Sequence, residues 1–219
     1  FKTYHEMNTW GIQNSSPEFK FHFLYHPDLP HKHAGVGLAR KIGMDEACWR
    51  LEKAKNPKGI IVCFDADSKC ETNYLTEIEE HFSTQPKTTA CGIQFEHPLS
   101  GVEFDETVYN AITLYELHLR YYVEAQRYSG FPFAYQTIGS SMAVRCDAYQ
   151  LQGGMNKRKA GEDFYFLHKF IELGSFTEIH TTRVIPSPRP SHRVPFGTGK
   201  AVGELLKNNM QYDTYAFEH

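Results

Sequence analysis

Two aspartates with a single alanine between them, Asp65-Ala66-Asp67, close the apolar run Gly-Ile-Ile-Val-Cys-Phe of residues 59–64. Side chains two apart on an extended segment point the same way, so both carboxylates can converge on one site. Paired hard oxygen donors, with Ser68 beside them, suit Mg²⁺ or Mn²⁺, ions that keep waters and bind substrate phosphates as well. The plainer alternative is that these acids cap a helix beginning near Glu71.

A second acidic pair, Glu162-Asp163, follows Gly161 at the predicted start of a helix. There the macrodipole favours an ionised carboxylate of the kind a general base needs, although the position equally suits an acid that only starts the helix. Basic side chains fall into two groups. Arg40 and Lys41, with His31, Lys32 and His33 upstream, could neutralise a diphosphate. Residues 188–200 set Arg189, His192, Arg193 and Lys200 among prolines and glycines, a loop whose histidine could ligate a metal and whose cations could grip phosphate. His31-x-His33 has no second ligand pair at matching spacing and makes a weak zinc site.

These residues need elements to hold them. Residues 1–10 read as helical, and the alternation of Phe-Lys-Phe-His-Phe-Leu-Tyr at 19–25 predicts a strand. A helix is predicted over 38–54, a buried parallel-type strand over 59–64 and a helix over 72–82, with a strand following at 88–95. Residues 105–128 form a long helical pattern with two apolar stripes, which predicts core on both sides. Two short strands around a glycine break are expected over 133–146, then a helix over 162–173, a strand through 176–185 and a helical tail over 201–207. Strands alternating with helices argue an α/β domain with a mainly parallel sheet. The carboxyl end of such a sheet is where ligands bind, and Asp65 and Asp67 sit there.

The chain has 219 residues, enough for one globular domain, expected to span 1–219. A net charge of -3 makes nucleic acid an unsuitable partner. No run of residues is long and apolar enough for a membrane span, and the expected setting is cytoplasmic or peripheral to a membrane. The five cysteines are scattered without a C-x-x-C pair and read as buried thiols.

In order, Phe64 to Ser68 at a strand end, Gly139 to Arg145, Gly153 to Asp163 and a basic loop with a histidine resemble the nucleotide-sugar-binding GT-A fold. More narrowly, they resemble the family 2 glycosyltransferases of bacterial type, over roughly Gly35 to Gly203. The resemblance implies a mainly parallel sheet flanked by helices. The family's first strand has no counterpart here, so an N-terminally truncated domain, a piece of a longer chain, is expected. It further implies Mn²⁺ or Mg²⁺ as cofactor, a nucleoside-diphosphate sugar as donor, and a glycan, lipid or small molecule as acceptor. Asp67 would hold the metal that bridges the donor diphosphate, with Asp65 nearer the ribose. Asp163, with Glu162 beside it, would be the general base of an inverting transfer, and His192, with His180 as rival, would complete the metal shell. Arg40, with Lys41 beside it, would meet the nucleotide, while Arg189, Arg193 or Lys200 would close over the diphosphate. The residues alone leave two other classes open: a nucleotidyltransferase-type metal enzyme, and a non-catalytic binding domain on the same sheet.

Overall fold

A computed structural model describes residues 2–30, 32–191 and 197–208. The chain divides into two compact units, Phe1–Ala34 and Gly35–His219. In the first, α1 (Lys2–Asn14) is followed by residues 19–25, which are extended yet belong to no strand. Their alternation is used against the helix instead of a sheet. Phe21 meets Trp10 edge-on at 4.7 Å, Tyr25 stacks on Tyr4 at 4.9 Å, and the Phe21 N–H donates to Ser15 Oγ at 3.2 Å. An extended segment without a neighbour to bond can still offer alternate side chains to one surface, so period alone does not make a strand.

The second unit holds α2 (Val36–Lys53), β1 (Ile60–Cys63), β2 (Lys69–Cys70), α3 (Tyr74–Thr84), β3 (Ala90–Phe95) and α4 (Glu106–Tyr128). It continues through β4 (Met142–Arg145), α5 (Cys146–Leu151), α6 (Glu162–Glu172), β5 (Phe176–Ile185) and α7 (Thr198–Lys207). The strands form one sheet in the order β1-β4-β3-β5-β2.

That sheet is mixed, which corrects the expectation of a mainly parallel one. Among the described residues only β3 and β5 pair in parallel; β1–β4, β4–β3 and β5–β2 are antiparallel. The register gives the reason. Met142, where β4 begins, lies opposite Gly92 in β3, whereas Val144 lies opposite Ala90. The connection from β3 through α4 therefore comes back to the end of the sheet it left, and β4 enters running backwards. Of the two short strands expected over 133–146 only β4 exists, because residues 129–141 are this return.

Period-2 alternation then sorts the core. Ile61, Cys63, Met142 and Val144 face Met44, Phe166, Leu167 and Phe170 of α2 and α6. Ile60, Val62, Ala143, Cys91, Ile93 and Phe95 go to the other face, against Tyr74, Ile78 and Phe82 of α3. The helix α4 packs Val108, Ala111 and Ile112 on Val202 and Leu205 of α7. Its second stripe is core only in part: Leu114 packs against that cluster, whereas Leu117, Tyr121 and Tyr128 are exposed. Four cysteines are buried as expected, and Cys70 is exposed. Among the described residues no helix is long and apolar enough to cross a membrane.

Candidate functional site

The antiparallel entry of β4 builds the site. Met142 pairs with Cys63, so the residues just before β4 and just after β1 meet at one end of the sheet. Beyond Cys63 the chain turns through Phe64 to Ser68, closed by the Ser68 N–H donating to the Asp65 carbonyl at 3.0 Å. Neither aspartate caps α3, which starts at Tyr74 behind Asn73. The capping alternative is thereby removed, and both side chains remain about half exposed.

Arg40, in the second turn of α2, joins two of the sequence motifs. Its Nη1 donates to Glu162 Oε1, and its Nη2 lies 3.3 Å from Asp65 Oδ1. The arginine and the glutamate are almost fully buried, their side chains 9% and 3% exposed. A buried ion pair of this kind is costly to desolvate and demands tight geometry. Two glycines supply that geometry. Gly161 adopts a left-handed conformation (φ 70°) before α6, which turns Glu162 inward. Gly139 lets the guanidinium pass, since a Cβ there would come within 2.6 Å of Arg40 Cζ.

Asp163 faces the same end of the sheet. Its Oδ2 accepts the Gly139 N–H at 2.9 Å and its Oδ1 accepts the Phe164 N–H at 2.8 Å. Burial pushes this carboxyl above its ordinary value, and the two N–H donors and Arg40 only partly offset that. Glu162 is pushed up as well, by burial and then by the Asp163 charge, with Arg40 opposing. Beneath them the Cys63 thiol, pushed up to about 12 mainly by burial, stays protonated and takes no charge of its own. Arg189 reaches the second aspartate, donating from Nη2 to Asp67 Oδ2. Register explains this too, because Lys69 pairs with Ile185 and so the segments before β2 and after β5 run side by side.

Asp65, Asp67, Arg40, Glu162, Asp163 and Arg189 thus share one end of the sheet. Three further candidates among the described residues stand apart from this group. Lys41 pairs with Asp45 on its own helix at 2.8 Å, and Lys200 with Glu204 on α7 at 2.7 Å. His180 lines a groove of about 250 Å³ between α4 and the β3–β5 pair, with Arg120, Arg127 and Glu178 as neighbours; Asp67 does not line it. His192, Arg193 and His31 lie outside the described residues. Among the described residues no group of three or more His, Cys, Asp or Glu side chains is arranged to hold a metal. The half-exposed carboxylates of Asp65 and Asp67 fit Mg²⁺ or Mn²⁺ only as a partly hydrated ion that takes further ligands from water and substrate.

Sequence reasoning paired Arg40 with a diphosphate and missed its contact with Glu162. It also missed the Gly139 N–H on Asp163. A buried carboxylate needs a cation, but nothing in the sequence said which of the two acids turns inward, so the Arg40–Glu162 pair was not legible there. No signal in the sequence identified Gly139 as the donor. Comparison of the chain with protein-family models, with curated proteins and with solved structures found no match.

Proposed function

We propose that this chain binds a nucleoside-diphosphate sugar at the Asp65–Asp67 end of its sheet and transfers the sugar, with inversion, to an acceptor hydroxyl. The observation that carries the proposal is the bridge made by Arg40 between Asp65 and Glu162, motifs 97 residues apart in the sequence (162 − 65), with Asp163 alongside. Carboxylates and arginines gathered at a strand end provide what a metal–diphosphate group requires of both signs. Asp67, with Asp65 beside it, would hold Mn²⁺ or Mg²⁺, which supplies positive charge against the charge developing on the leaving diphosphate. Arg189, now on Asp67, would turn to a phosphate oxygen when the diphosphate binds. Asp163 accepts the acceptor's proton as the hydroxyl attacks. Its raised carboxyl is a stronger base than an ordinary aspartate, and the N–H groups of Gly139 and Phe164 fix its direction.

Calorimetric titration of UDP, GDP, CDP and TDP, with and without Mn²⁺, tests this reading. One of them is expected to bind more tightly with the metal, and Asp67→Asn should remove the metal-dependent part by about 10–100-fold. Binding of none of the four, with or without Mn²⁺, defeats the proposal and favours a non-catalytic domain.

A further inference from the structure

Aromatic rings, exposed at both ends, form a connected row that starts on α6 next to the candidate base in sequence. Phe164 and Tyr165 follow Asp163 directly on α6, with ring centroids 5.3 Å apart. Phe164 lies 4.5 Å from the His168 ring, His168 4.9 Å from Phe133, and Phe133 5.6 Å from Phe131. At the other end the Arg158 guanidinium sits 3.7 Å over the Tyr165 ring. Phe133 rests partly on the core and His168 is half-buried, but the two ends of the row are not core. Phe166, Leu167 and Phe170 already fill the inward face of α6, while Phe131, Phe164 and Tyr165 keep 46%, 43% and 48% of their surface exposed. Single exposed apolar side chains are ordinary, but a contiguous set rimmed by polar groups marks a place where something binds.

Resting on the glycosyl-transfer reading, we infer that this aromatic row is the acceptor subsite and that its ligand is a carbohydrate. A pyranose offers apolar C–H faces and a rim of hydroxyls, and the row offers the complement. Ring faces take the C–H surface, while Arg158 and His168 provide hydrogen-bonding groups at intervals along it. The row is tied to the candidate base through the chain itself, since the Phe164 N–H donates to Asp163 Oδ1 at 2.8 Å, and a saccharide lying along the row would extend toward that carboxylate. An acyl chain would gain nothing from a cation over one end of the row and an imidazole in its middle.

The test is titration of maltotriose, cellotriose and chitotriose into the whole protein, its Phe164→Ala and Tyr165→Ala variants, and Tyr165→Phe. At least one trisaccharide is expected to bind the wild type, about tenfold more weakly after either alanine substitution and nearly unchanged in Tyr165→Phe. Absence of binding by all three up to about 10 mM, or binding indifferent to both alanine substitutions, overturns the inference. So does adsorption to phosphatidylcholine vesicles that is lost in the same variants, which would make the row a membrane contact. Nucleoside diphosphate titrations on the same samples separate the two claims. If trisaccharides fail while a diphosphate binds, the donor site stands and only the acceptor assignment falls. If no diphosphate binds while a trisaccharide does, the transferase reading falls and the row remains a saccharide surface.

Discussion

Glu162 and Glu116 are both buried glutamates paired with an arginine, yet their surroundings drive them in opposite directions. Around Glu116 everything is a donor. His97 gives its backbone N–H at 2.8 Å and its Nδ1–H at 2.6 Å to Oε1, and Arg120 reaches Oε2 at 2.9 Å. Burial alone would raise that carboxyl, but the His97 hydrogen bonds and the Arg120 charge outweigh it and hold it below its ordinary value. Glu162 has Arg40 but also Asp163 and Asp65 close by, and it is raised. One cluster is a satisfied brace between β3 and α4, extended to α7 through His97 Nε2, 3.1 Å from Thr198 Oγ1. The other gathers carboxylates that Arg40 only partly offsets at one end of the sheet.

The largest expected effect follows from the arginines. Removing Arg40 leaves Glu162 buried among like charges, so Arg40→Ala should destabilise the protein by about 3–5 kcal/mol in urea. Arg120 is 42% exposed and leaves Glu116 its two His97 donors, though it also donates to the Phe95 carbonyl at 2.7 Å, so Arg120→Ala should cost about 1–2 kcal/mol. Equal losses in the two variants would erase the distinction between brace and site.

How far this was legible in the sequence differs between the two regions. The acidic pairs, their strand end and their helix start could be read from Asp65, Asp67, Glu162 and Asp163, because burial periodicity and turn residues are local signals. The direction of β4 could not. It depends on how residues 96–141 return to the sheet, and a four-residue strand reads the same way forwards or backwards. The mixed sheet was therefore missed, and with it the meeting of Gly139 and Arg40. The His97–Glu116 brace was missed for another reason. A glutamate inside a long helix looks like an exposed one until its partner on a different element is known.

The pH dependence of the brace comes next in size. Glu116 sits below its ordinary value when folded, so its contribution is complete above the unfolded value and lost as pH falls through the folded one. Glu116→Gln should therefore cost about 1–3 kcal/mol near neutral pH, and the gap to wild type should narrow on acidification. Glu162 has the opposite sign: its ionised form costs stability above its raised value, and that cost disappears as pH falls below the unfolded value. A gap at Glu116 that widens in acid would contradict the donor-rich description.

The smallest effect on stability belongs to the residue expected to matter most for turnover. Asp163 is raised by burial, so its ionised form at neutral pH carries a penalty that a neutral amide would not. Asp163→Asn gives up one N–H···O contact and removes that penalty, and the two changes oppose each other. The variant should release no nucleoside diphosphate from its donor, while its Tm stays level or rises by up to about 4 °C. Below the unfolded value of the aspartate both side chains are neutral, and any gain in Tm should disappear there. A variant that melts several degrees lower at every pH would make Asp163 a structural start to α6, on the side of the brace; one that loses turnover without losing stability puts it on the side of the site.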